Sequence, residues 1–405
     1  MFNCVNGSAW GEAEARLDPL KAVIAIPANN ESDRIIACLS ALATQRDEFG
    51  APISAGLFEI VVLVNNSTDD TASKVAEFAT RSPQPIIVVE FSLPPERANA
   101  GWARKAAMDE AADRLERTGS RNAAILTTDA DSLVAPTWFS ATMAAFELGV
   151  DCVAGYIDAQ PAEIMDLGPA FINRGRSEDG YIRCVAEIFA RCDPIAHDPW
   201  PNHRVSSGAS LAVTLSAYRA IGGLPPMPVG EDAALTRTLE EAGFKIRHAM
   251  DVCVVTSCRF DGRAKGGAAD TMQYRHATLE APCDDDLEPA LMTVKRALIK
   301  GRLRRANYDA IGEEMWLRHL RITREEAALL ISLHRDSEFS EFWSAVQLAS
   351  PALHRRVCLH PADLPRETRR AKLILKALHG RASITKKILQ DDIFDRERCG
   401  VVEAA

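Results

Sequence analysis

The chain lacks the features that mark membrane, secreted and nucleic-acid-binding proteins. It contains no run of about 18 apolar residues, so no transmembrane helix is predicted. The first twenty residues lack a charged stretch followed by an apolar core, the pattern of an export signal. Its ten cysteines form no Cys-x-x-Cys pair. Cys253 and Cys258, five apart, and Cys184 and Cys192, eight apart, do not have zinc-site spacing. The expectation is reduced, buried thiols in a cytoplasmic protein. A formal net charge of -9 offers no basic footprint for nucleic acid, and no such partner is expected. No internal repeat occurs. No Gly-x-Gly-x-x-Gly follows a strand and no Gly-Lys-Ser/Thr loop is present, which argues against a dinucleotide-binding Rossmann domain and a P-loop enzyme.

What is present is an ordinary globular composition, 47% hydrophobic and 25% charged, over 405 residues. That length allows two or three domains, or one large domain with an appendage. Short apolar runs alternate with helical patterns through the first two-thirds. Ala22–Ile26 ending at Pro27, Glu59–Val64, Ile86–Phe91 and Ala123–Leu126 read as strands. Helices are predicted from about Ser32, after Ser67-Thr68-Asp69-Asp70, over Trp102–Leu115 and after Pro136. Further on, Cys152–Ile157 and Val252–Thr256 read as strands and Tyr181–Arg191 as a helix. Strand–loop–helix units in series predict a parallel sheet with ligands beyond the strand C-termini. Asn29, Glu31, Asn65, Asp69, Asp129 and Asp131 all fall there.

Asp129-Ala-Asp131 is the most informative of these. Residues i and i+2 of a strand share a face, so both carboxylates are expected to converge on one hard cation, Mg2+ or Mn2+ bridging a diphosphate. A second acidic pair, Glu231-Asp232, opens the helix AALTRTLEEAG. There a carboxylate either stabilises the helix N-terminus by about 0.3–1 kcal/mol or serves as a general base. Arg259, Arg263 and Lys265 cluster in a Gly-rich loop after a strand, suited to a diphosphate. His248 and His276 flank that loop as candidates for a third metal ligand. Beyond about Pro282 the pattern turns helical. Leu291–Arg305 is basic and amphipathic, read first as a helix with a solvated basic face and second as a peripheral membrane or partner surface.

Five ordered segments resemble the family 2 glycosyltransferases, which have the GT-A fold. They are IPANNESDRI, VVLVNNSTDDT, AGWARKAAM, TDADSLVAPTWF and the stretch from VSSGASLAV to GEDAALTRTLEEAG, covering about Lys21 to Gly267. The resemblance implies an α/β fold, a GT-A-like (Rossmann-like), mostly parallel central sheet flanked by helices, with an α-helical C-terminal region. The expected division is a tail at 1–20, a catalytic domain at 21–285 and a helical region at 286–405. The catalytic domain would comprise a nucleotide-binding half, 21–131, and an acceptor-side half, 132–285. The implied reaction moves a sugar from a nucleotide-sugar donor to an acceptor hydroxyl on a small molecule, glycan or lipid-linked molecule. Asp131 would be the metal ligand, Asp129 a second ligand or a ribose contact, and Asp232 the base, with Glu231 next. Ala28, Glu31, Asn65, Asp69 and Arg104 would lie along the nucleotide, with Arg259 and Arg263 on its phosphates.

The chain departs from the family at Asn65, where an acid is common, and at Lys105, where Asn is common. It also lacks the Gln-x-x-Arg-Trp motif of processive synthases. Tyr181, His197, Asp198 and Trp200 are acceptor-side candidates. The competing readings are a sugar-1-phosphate nucleotidyltransferase and a non-catalytic nucleotide-sugar-binding protein. The first would want a Gly-rich phosphate loop where this chain has Pro27-Ala28-Asn29-Asn30-Glu31.

Overall fold

The computed structural model describes residues 20–262, 266–306, 311–354 and 356–380. The expected tail up to residue 19, Arg263 and Lys265 lie outside that set. The chain separates into two compact units. The first comprises the residues up to Ile172 together with Ala196–Leu279, and the second comprises Asn173–Ile195 and the residues from Glu280 on. Residues 173–195, which the sequence reading keeps with the catalytic domain, thus group with the C-terminal helices.

The first unit is built on β1 (Ala22–Ala28), α1 (Ile35–Ala43), β2 (Phe58–Asn65), α2 (Thr71–Ala79), β3 (Ile86–Phe91), α3 (Ala100–Arg117), β4 (Ala124–Thr127), β5 (Leu133–Val134), α4 (Trp138–Glu147) and β6 (Cys152–Ala159). After α5 (Pro161–Asp166) and the start of α6 (Gly168–Cys192), it resumes with β7 (Leu211–Thr214), α7 (Leu215–Ala220), α8 (Glu231–Glu241), β8 (Ile246–Thr256) and α9 (Ala268–Ala277). The eight strands form one sheet in the order β3-β2-β1-β4-β7-β6-β8-β5. The β3–β2–β1–β4 block is parallel, as is the β6–β8 pair. β7 runs antiparallel to both β4 and β6, and β5 antiparallel to β8. The sheet is therefore mostly parallel, as expected, with two reversed strands.

β1 and β2 read as continuous apolar runs because both faces of the sheet are covered. Ala22, Ile24, Ile26, Phe58, Ile60 and Val62 face one core with Leu39, Val75 and Trp138. Val23, Ala25, Val61 and Leu63 face the other, with Met108, Ala111, Leu115, Tyr218 and Leu235. β1 does not stop at Pro27 but runs through it to Ala28. The last β1–β4 pair is Ala25↔Thr127, so the missing proline N–H falls beyond the ladder on that side.

The second unit holds most of α6, then α10 (Ala290–Arg305), α11 (Arg324–His334), α12 (Phe339–Ala349) and α13 (Leu364–Gly380). α10 is its centre. Val294, Ala297 and Leu298 pack with Ile188, Phe189 and Ala371, while Ile299 and Leu303 pack with Trp316, Phe342 and Val346. The expected solvated basic face is not seen. Arg296 is buried and holds Glu288 through two bonds of 2.7 and 3.0 Å, and Arg304 holds Asp193 at 2.8 and 3.0 Å. Lys300 lies over the Trp343 ring, and Arg305 alone among the basic side chains of α10 is exposed. Among the described residues no helix is long and apolar enough to cross a membrane. Thiol burial is general but incomplete, since Cys253 is half-buried and Cys358 exposed.

Candidate active site

In the first unit one sheet edge collects the chemistry. The parallel strands β1, β2, β4, β6 and β8 end there, and the reversed β7 begins there. The strand order reverses between β1 and β4, the position where open sheets of this kind form a crevice. A cavity of about 700 Å3 lies at that edge, lined by Glu31, Asn65, Arg104, Asp129, Asp131, Glu231, Asp232 and Arg259, among others. Eight of the eleven residues expected from sequence are thus brought together.

Arg104 organises one part of the wall. It sits one turn into α3, whose first turn is capped by the Asn99 side chain on the Trp102 N–H at 3.2 Å. A Cβ at Gly101 would lie 1.8 Å from the Met227 carbonyl oxygen, so glycine lets this turn touch the segment leading into α8. The buried guanidinium bonds Asp129 Oδ1 at 2.6 Å, Glu231 Oε1 at 3.0 Å, Thr127 Oγ1 at 3.1 Å and the Gly208 carbonyl at 3.0 Å. Burial works against its charge, but Asp129 and Glu231 raise its pKa above the usual arginine value. A Cβ at Gly208 would stand 2.2 Å from the guanidinium carbon. Glycine is needed there because the backbone itself is the ligand.

The same Gly208 donates its N–H to Asp232 Oδ2 at 2.9 Å, while the Ala233 N–H reaches Oδ1 at 2.7 Å. Gly230, at φ 81°, caps α8, and its first two residues, about 100° apart around the helix axis, point different ways. Glu231 is buried on Arg104, whereas Asp232 stays half-buried on the cavity wall with no cationic side chain in an ion pair with it among the described residues. Of the two carboxylates, Asp232 is the one open to a ligand.

Arg259 organises the other part. It follows β8 and holds both oxygens of Glu31, one at 2.9 Å, with Asp131 Oδ2 at 3.0 Å. Its loop is anchored by Glu163 of α5, which accepts from Ser257 Oγ at 3.0 Å and the Cys258 N–H at 2.7 Å and pairs with Arg34. Asp129 and Asp131 lie beyond the end of β4, in a turn closed by the Ser132 N–H on the Asp129 carbonyl at 3.1 Å. They reach the same cavity through this turn, not by the i, i+2 alternation of a strand. Burial, followed by the charge of Asp129, pushes the Asp131 carboxyl up to about 6, with Arg259 opposing the rise.

Three expected residues are not on the wall. Ala28 is buried in the core beneath the sheet edge. Asp69 is exposed and accepts from Thr71 Oγ1 at 2.6 Å and the Ser32 N–H at 3.1 Å, tying the loop after β1 to the start of α2. Burial raises its carboxyl, but the Thr71 and Ser32 bonds together outweigh that and hold it down to about 2. Arg263 lies outside the described residues. Neither histidine proposed as a third ligand lines the cavity. His248 pairs through Nδ1 with Asp198 at 2.9 Å, and His276 packs against the Phe171 and Phe260 rings. Asp198 is buried between Arg247 and His248, and Tyr181 is a core residue of the second unit.

Sequence reasoning missed Gly208, Glu163 and Asp158, which lies on the wall at the end of β6. Ser207-Gly208-Ala209 just before a strand is a small-residue signal for close backbone approach. Glu163 offers none, since its partners lie 94 and 95 residues away.

Residues 23–192 match the family model "Glycosyl transferase family 2". Glu31, Asn65, Arg104, Asp129 and Asp131 lie within the matched segment, and Glu231, Asp232 and Arg259 lie outside it. No curated protein matches the chain. Among solved structures the chain is similar to a mannosyltransferase, PcManGT from Pyrobaculum calidifontis, in complex with GDP-Man and Mn2+. The identity is 18% and the TM-score 0.41, over 95% of this chain and 89% of that one. It is also similar to residues 1–349 of S. aureus TarS in complex with UDP, at 15% identity and TM-score 0.41, over 81% of this chain and 91% of that one.

Proposed function

We propose that this chain, a glycosyltransferase by its family 2 segment, moves a sugar from a nucleotide-sugar donor to an acceptor hydroxyl with inversion, assisted by a divalent cation. The observation that carries the reading is that both acidic pairs line one cavity of about 700 Å3, within the size range of small-molecule sites. Acceptor attack on the anomeric carbon needs a base. Asp232 is held by two N–H donors and faces the cavity, so it takes the acceptor hydroxyl proton as the new C–O bond forms. The bond from the anomeric carbon to the diphosphate oxygen breaks with its electron pair remaining on the diphosphate. One displacement of this kind inverts the anomeric centre.

The residues present fit a hard cation. Asp129 and Asp131 each engage an arginine through one carboxylate oxygen. Among the described residues no group of three or more Asp, Glu, His or Cys forms a metal cage. Two carboxylates completed by a diphosphate and water suit Mg2+ or Mn2+. Bound there, such a cation would neutralise charge on the leaving diphosphate. The test is a thermal-shift screen of nucleotide sugars with and without Mn2+, on the chain and on Asp131→Asn. A donor that raises the Tm only with metal, and only when Asp131 is present, supports the reading. Donor turnover undiminished by excess EDTA or by that substitution overturns the metal-assisted form.

A further inference from the structure

Among the described residues two arginines line the cavity, each between two carboxylates, so four acids face two guanidiniums. Arg104 is committed, because its bonds to Thr127 Oγ1 and the Gly208 carbonyl fix it from a further side. Arg259 has a different setting. Its guanidinium bridges Glu31 and Asp131, and its backbone is pinned by its own N–H on Ser257 Oγ at 3.2 Å within the segment that Glu163 anchors. The anchoring confines movement to the side chain, whose hold on Glu31 provides a pivot. Asp131 Oδ2, the oxygen Arg259 takes, belongs to the carboxylate proposed above to hold the cation.

From this arrangement we infer that Arg259 is an internal counter-cation, occupying Asp131 until a nucleoside diphosphate draws it away. The inference rests on the proposed metal-assisted reading. Two cations on one half-buried carboxylate repel, so metal alone must displace or crowd Arg259 and binds weakly. A diphosphate supplies the guanidinium with an alternative charge-assisted partner and frees Asp131 for the metal. Metal and nucleotide therefore bind cooperatively, and by linkage each strengthens the other by the same factor. Removing the Arg259 charge has opposite effects on the two ligands, which a purely supporting residue would not produce.

The experiment titrates Mn2+ into the full chain, alone and with saturating UDP or GDP, reading free Mn2+ by electron paramagnetic resonance. Calorimetry of each nucleotide runs in parallel. For Arg259→Gln the expected result is roughly tenfold tighter binding of Mn2+ alone and roughly tenfold weaker binding of nucleotide in its presence, within the usual range of coupling between sites. The metal–nucleotide cooperativity should shrink towards none. Arg259→Lys keeps the charge and should restore weak binding of metal alone, which separates the charge from a folding defect. If Mn2+ alone binds no tighter to Arg259→Gln while wild type still binds it with nucleotide, the counter-cation role fails and the metal reading stands. If wild type binds no Mn2+ even with either nucleotide, the metal reading fails and this inference with it.

Discussion

Three arginines in the first unit each sit between two carboxylates, and they differ mainly in their access to water. The Arg104 side chain is 6% exposed, that of Arg259 15%, and that of Arg219, which holds Asp113 and Glu116 on the helical surface, 35%. The charge pattern is the same and the consequences are not. Arg104 is part of the architecture, because helix, loop and strand end all converge on it. Arg259 is proposed to serve the ligand, because one of its partners, Asp131, is the proposed cation ligand. Arg219 is surface chemistry, where solvent screens most of the attraction.

The largest expected effect breaks the first of these clusters. Arg104→Met leaves Asp129 and Glu231 without their buried counter-charge and should cost about 3–5 kcal/mol in urea unfolding. A loss near that of a surface pair would remove Arg104 from the architectural role. Next comes Asp232→Asn, which keeps shape and removes basicity. It should lower kcat by about 10²-fold or more with donor affinity little changed. Near-normal turnover would return the base to another group, although Glu231 is already engaged by Arg104.

A third prediction concerns the segment that delivers Gly208 to the Arg104 side. His203 is buried, with Nε2 3.1 Å from the Ala154 carbonyl and Nδ1 accepting the Val205 N–H at 3.2 Å. Burial, then the neighbouring His248, pushes its pKa down to about 4. The unfolded chain, with an ordinary histidine near 6.5, therefore binds more protons between these values. The stabilising effect of a neutral His203 is present above pH 6.5 and is lost as pH falls towards 4, amounting to about 2 kcal/mol by pH 5. His203→Gln, which cannot titrate, should flatten that part of the stability–pH curve. An unchanged slope would mean that His203 is not the group responsible. The smallest effect closes the series, with Arg219→Ala expected to change stability by less than about 1 kcal/mol. A loss as large as that for Arg104→Met would erase the distinction between buried and exposed clusters.

The same contrast explains what the sequence disclosed. The strands were legible because β1 and the centre of β2 are buried on both faces and are apolar there. The acids were legible because short carboxylate pairs beside apolar runs mark strand ends and helix starts. Partnerships were not. Nothing in the spacing links Arg104 to Glu231, 127 residues on, or Arg259 to Glu31, 228 residues back. Reversal of β7, which brings Gly208 to the ligand edge, depends on pairing between distant strands. The basic run of α10 misled for a related reason, since its acidic partners Asp193 and Glu288 lie outside the helix and its pattern alone suggests solvent.

The proposed chemistry is tested most directly by the anomeric configuration of the product. Once the thermal-shift screen has identified a donor, proton NMR of the first product formed in the presence of Mn2+ should show the anomeric centre inverted relative to that donor, as a single displacement with Asp232 as base requires. A product of retained configuration, formed at the wild-type rate and still formed by Asp232→Asn, would contradict it.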